Sequence, residues 1–122
     1  MYRYKIFTLE EANRVLPIVI DLTENTQTGL RKLRAQLTDP EVSPDELEEE
    51  TRTLLNEWFR LILEIGAQPK GIFTVDFRSP DPNVLWCWSP NEERIEHRHF
   101  TWETFKDRVS IEGTDAGWPG NN

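Results

Sequence analysis

Cysteine is nearly missing from this sequence. Cys87 is the only one, which excludes an internal disulfide and any zinc site rich in thiolates. Long apolar runs are missing too: no stretch approaches the roughly 20 residues of a membrane span. Met1-Tyr2-Arg3-Tyr4-Lys5 leads into no apolar segment of the signal-peptide kind. A reducing cytoplasm is therefore the expected setting. Positive charge is in deficit, with 14 Lys and Arg against 22 Asp and Glu and a formal net charge of −8. That balance disfavours a phosphate backbone or an anionic lipid surface as main partner, so neither nucleic acid nor membrane is expected. The six glycines are scattered, and no phosphate-cradling loop can be assembled from them.

What is present suffices for one folded unit. The 122 residues are 37% hydrophobic and include 5 Trp and 6 Phe, too aromatic for a disordered chain and enough for one core, so residues 1–111 are expected to form a single domain. Thr8 with Glu11 has the form of a capping box, and Phe7 is placed to pack on Ala12. From Leu9 through Ala12, Leu16, Val19, Thr23, Thr26, Leu30, Leu33 and Leu37, residues recur at steps of three and four, the spacing that holds one stripe toward a partner helix. Pro17 cannot donate to the carbonyl of Asn13, so a short helix to about Leu16 is expected, then a bend, then a long helix with Pro17 in its first turn. Ser43-Pro44-Asp45-Glu46 opens a second helix, with Leu47, Leu54, Trp58 and Leu61 on its stripe, and Gly66 followed by Pro69 ends it. Two helices of about 32 Å joined by a short loop at 38–42 form an antiparallel hairpin. Leu55, Phe59 and Ile62 add a second stripe to the C-terminal half of helix two, which calls for a cover.

After Gly71 the period changes to two, with Phe73, Val75 and Phe77 on one face. Residues 79–83 have turn chemistry, 84–88 and 94–100 read as strands around a turn at Pro90-Asn91, and 101–108 as a short helix. Val109 and Ile111 suit an edge strand. The expected fold is α+β: a long antiparallel helical hairpin (8–66) packed on a small antiparallel β-sheet of three to four strands (71–111), with 112–122 as a flexible C-terminal tail.

Chemistry is sparse. Seven acids between Asp39 and Glu50 lie across the hairpin from Arg31, Lys32 and Arg34, and each cluster suits its own helix dipole, so a solvated face explains them without a calcium loop. Cys87, His97 and His99 are the only soft or borderline metal ligands. His97 and His99 share a strand face, and Cys87 joins them only if an odd number of residues separates the paired positions; a two- or four-residue loop turns it away. No metal and no cofactor is assigned on this ground. For nucleophilic catalysis, His99 with Cys87 or Ser89 plus Asp76 is the one assembly on offer, and no strand–turn–helix elbow presents either nucleophile. Trp86, Trp88, Phe100 and Trp102 could form a base-stacking platform, but 94–108 hold four basic against three acidic side chains, too even a balance for an electrostatic funnel, so packing on the sheet is the expected role.

Phe7-Thr8-Leu9-Glu10-Glu11-Ala12-Asn13 with Leu16-Pro17, then Val75-Asp76-Phe77, Cys87-Trp88, and Glu92 with Ile95 and His99, make the chain resemble an uncharacterised bacterial family, domain of unknown function 2203, in order from about residue 5 to residue 111. The resemblance implies a helical hairpin on a small sheet and no activity. Position by position, the family's polar pattern falls on Asp76, Cys87, Glu92, His99 and Arg108. The chain departs from it with Asn91 in place of a glycine before Glu92, and Asn tolerates the left-handed backbone such a turn needs. It departs again with Thr104-Phe105 where a Gly-Phe pair is usual.

Two readings follow. In the first, the chain is an interaction module without catalysis, associating as a homodimer through the hairpins, because Val15, Ile18, Ile20 and Leu22 need a second surface. In the second, Asp76, Glu92, His99 and Arg108 form a small-molecule or metal site on the sheet. Convergence of those groups in one place separates the two.

Overall fold

A computed structural model describes residues 4–111; the expected tail at 112–122 lies outside the described residues. The fold is α+β, two helices and a five-stranded antiparallel sheet. Helix α1 spans Leu9–Ala35, and α2 spans Pro44–Ile65. Strands β1 (Gln68–Lys70), β2 (Thr74–Arg78), β3 (Val84–Trp88), β4 (His97–Phe100) and β5 (Val109–Ser110) follow in a meander whose spatial order is the chain order.

The helix starts follow their caps. Thr8 Oγ1 accepts from the Glu11 N–H at 3.1 Å while the Glu11 carboxylate accepts from the Thr8 N–H at 2.9 Å, and Ser43 caps α2 with Pro44 in the first turn. Gly66 closes α2 at φ 100°, where a β-carbon would also stand 2.6 Å from the Lys5 side chain, so two constraints select glycine there. Lys5 donates to the Gly66 carbonyl and Phe7 to that of Arg78, and the Trp86 indole donates to the Phe7 carbonyl at 2.9 Å, which threads the N-terminal segment between helix and sheet.

Pro17 does not divide α1, contrary to the expected short helix ending at Leu16: one helix runs through it from Leu9 to Ala35. Its ring lies on the exposed side of the helix, away from the buried stripe of Ala12, Leu16 and Val19.

The hairpin packs on the inner face of the sheet. Val75 pairs with Trp88 and Phe77 with Trp86, so these four share a face, and with Phe7, Ala12, Leu16, Val19, Trp58, Ile62 and Ile95 they form the core. The second stripe of α2 is only partly covered. Ile62 is buried, but Phe59 and Leu55 are exposed, because the short strands end before the stripe does. Val15, Ile20 and Leu22 pack against the core of their own chain, which removes part of the ground for a second surface; Ile18 remains exposed.

The sheet begins earlier than expected, at Gln68, and has five strands where three to four were expected. Ile72 and Phe73 belong to the β1–β2 turn, with Phe73 at φ 67° and its ring edge-on to Trp58 at 5.2 Å. Strand β4 starts at His97 rather than 94, because Ile95 is drawn into the core and its N–H donates to Asn13 Oδ1 of α1 at 2.7 Å. Trp86 and Trp88 are buried as expected, whereas Trp102 is 70% exposed and stacks on Phe100 at 4.8 Å. No described helix is long and apolar enough to cross a membrane.

Candidate functional site

Strand register decides which side chains share the outer face, the one turned away from the helices. Gln68 pairs with Asp76, Asp76 with Cys87, Cys87 with His97, and His97 with Ser110. Directly paired residues point the same way, so these five form one row across the sheet. An odd number of residues lies between Cys87 and His97, the case in which Cys87 joins the histidines. Within that loop the Ile95 N–H donates to Asn13 Oδ1 of α1. His99, two residues along β4, sits diagonally from Cys87 on the same face.

The result is a compact buried group. Asp76, Cys87 and His99 are 3%, 0% and 4% exposed, and a carboxylate oxygen, the Sγ and a ring nitrogen of these residues all lie within 4.8 Å of one another. The Asp76 Oδ1 to His99 Nε2 distance is 3.2 Å. His99 Nδ1 lies 2.8 Å from the Phe100 carbonyl oxygen; a carbonyl only accepts, so Nδ1 carries a proton and donates it. Nε2 then has two states, protonated and donating to Asp76, or a bare lone pair facing the carboxylate. The hydrogen bond to Asp76 raises the His99 pKa above its ordinary value against the opposing effect of burial, with the Phe100 contact adding to the rise. The Cys87 thiol is pushed up to about 12, first by burial and then by the Asp76 carboxylate. That shift favours the neutral thiol over the thiolate that a cysteine nucleophile uses.

Glu92 and Arg108 stand beside this group. Arg108 makes a two-pronged pair with Glu92, at 2.7 Å and 3.1 Å, packs its guanidinium 4.2 Å from the centre of the Phe105 ring, and its charge draws the Cys87 thiol down against burial. Glu92 also accepts from the Ser89 N–H at 2.9 Å, and Asn91 before it holds φ 79°, so the left-handed turn is kept. His97 Nδ1 is 3.6 Å from Glu92 Oε2, beyond hydrogen-bond reach, and has no hydrogen-bond partner among the described residues.

All five residues singled out from the sequence, Asp76, Cys87, Glu92, His99 and Arg108, are thus brought together. Asp76, Cys87 and His99 are the ones that could hold a metal. Sequence reasoning missed the Phe100 carbonyl that orients His99, and Glu103, whose carboxylate accepts from the Phe100 N–H at 2.6 Å; a backbone acceptor leaves no trace in residue type.

Against known proteins, the family model described as "Uncharacterized conserved protein (DUF2203)" matches residues 5–111. No curated protein and no solved structure matches the chain.

Proposed function

The chain belongs to the DUF2203 family of uncharacterised conserved proteins, and on that footing we propose that its working part is a small-ligand binding centre on the outer face of the sheet, made by Asp76, Cys87 and His99 and flanked by the Glu92–Arg108 pair. The observation that carries this reading is the convergence itself. Three adjacent strands each contribute one polar side chain, and all three are nearly fully buried. Burying a carboxylate, a thiol and an imidazole together costs stability that apolar residues would not. Breaking the packing rule at one place is the mark of a site.

Thermal unfolding tests it, with the wild type and Arg108→Met compared against a panel of divalent cations, small carboxylates and phosphates. A ligand at about a hundredfold over its Kd stabilises by about 2.7 kcal/mol, a rise in Tm on the order of 10 °C for a domain of this size. The expected result is such a rise with one class in the wild type. No rise with any of them sinks the reading.

A second reading, a homodimer formed through the hairpins in a cytoplasmic setting, is supported by the exposed Ile18, Leu55 and Phe59 on the helices. Light scattering at micromolar concentration tests it, and a monomer mass removes it.

A further inference from the structure

This inference rests on the reading of Asp76, Cys87 and His99 as a binding centre, and it names the ligand. We propose that the centre holds one divalent ion of the zinc class, ligated by an Asp76 carboxylate oxygen, the Cys87 thiolate and Nε2 of His99, with a fourth position open to water or a small ligand.

The donor set selects the ion. One sulfur, one imidazole nitrogen and one carboxylate oxygen suit zinc and its borderline neighbours, while calcium and magnesium demand oxygen shells that a single carboxylate cannot supply. Distances fit as well. Tetrahedral ligands at zinc bond lengths stand about 3.3–3.8 Å apart, and these three atoms already lie within 4.8 Å of one another, so side-chain rotation of a few tenths of an ångström to an ångström closes the site.

The orientation of His99 is the second, independent observation. A metal-bound imidazole donates its other N–H to a carbonyl or carboxylate, which fixes the ring and the tautomer. His99 Nδ1 donates in this way to the Phe100 carbonyl, and Phe100 is held in turn by Glu103. With Nδ1 so engaged, Nε2 is the ring atom that faces Asp76 at 3.2 Å, where either a proton or a metal ion between the two satisfies both. On binding, the thiol proton leaves Cys87 for solvent and the metal–sulfur bond takes its place; any proton on Nε2 leaves likewise. Two anionic ligands then balance the dication, so the buried centre is neutral. The Arg108 charge acts on Cys87 in the direction that favours a bound thiolate, and it stays matched by Glu92. Three neighbouring strands of regular sheet supply the ligands, which is a more rigid support than a loop.

The test is a cobalt titration of the full chain after treatment with a chelator. The expected result is a near-ultraviolet sulfur-to-cobalt charge-transfer band with the visible bands of a four-coordinate ion, saturating at one equivalent and bleached by zinc. The band disappears in Cys87→Ser, and cobalt affinity falls more than about tenfold in Asp76→Asn and in His99→Gln. A wild type without the band overturns the proposal whether or not the variants fold, and so does a band that survives in a Cys87→Ser variant shown to be folded by circular dichroism. If an organic anion raises Tm while cobalt gives no band, the metal is wrong and the binding centre stands. If no ligand of any class raises Tm and cobalt gives no band, both fall.

Discussion

The Trp58 indole donates a 2.9 Å hydrogen bond to the Thr23 hydroxyl, and both residues are buried, one on each helix of the hairpin. A polar contact therefore sits inside an otherwise apolar seam and fixes the rotation of α2 against α1. Trp58→Ala is expected to cost about 3–5 kcal/mol through the cavity it leaves. Thr23→Val, which keeps the volume and strands the indole N–H, is expected to cost about 1–3 kcal/mol. Chemical denaturation measures both, and a Thr23→Val protein as stable as the wild type would show that the contact contributes nothing.

Asn91 holds φ 79° before Glu92, a conformation open to glycine and tolerated by asparagine. Asn91→Gly should change stability by no more than about 1 kcal/mol, while the β-branched Asn91→Val should cost about 1–3 kcal/mol. Equal stabilities of the two variants would mean the turn is not under this constraint.

In the metal-free protein the Cys87 thiol is held at about 12 against an ordinary 9.0. A raised value in the folded state means stability that is fully present below pH 9 and lost as pH rises from there toward 12, at about 1.4 kcal/mol per pH unit. Between pH 8 and pH 10 the wild type should therefore lose on the order of 1 kcal/mol more than Cys87→Ala in urea denaturation. Parallel losses would show that the thiol ionises in the folded chain as easily as in the unfolded one.

The acidic start of α2 is a solvated face: Arg52 pairs with Glu48 at 3.4 Å and with Glu49 at 2.5 Å, all three side chains more than half exposed. Replacing Glu48 and Glu49 together by Gln should shift stability by no more than about 0.5 kcal/mol, since exposed pairs are screened and hold little net energy. A loss above about 1.5 kcal/mol in the same denaturation assay would point to a structural role for the run.

Local signals were read correctly where the physics is local. Thr8, Ser43, Pro44 and Gly66 act on backbone groups within one turn, and the bounds of α2 follow from them. The expected end of a helix at Leu16 does not occur, because whether a proline divides a helix depends on which side faces water, and that is settled by tertiary packing. Strand β1 was missed because Gln68-Pro69-Lys70 has no strand pattern of its own; Pro69 is tolerated there because β1 is an edge strand. The site shows the same division. Residue types and spacing marked Asp76, Cys87 and His99, and Glu92 and Arg108 came only with the family resemblance, but whether Cys87 faced His99 depended on the register of β3 against β4, which residue types do not fix.

The contact from Asn13 to Ile95 also orders events during synthesis. A chain emerging from its N-terminus can complete the hairpin, whose contacts are close in sequence, long before residues 95–108 exist. The loop that brings Cys87 opposite His97 then closes on a helix already in place, so α1 works as the template against which the last strands find their alignment. A chain ending before His97 holds Asp76 and Cys87 but lacks the imidazole that completes the group.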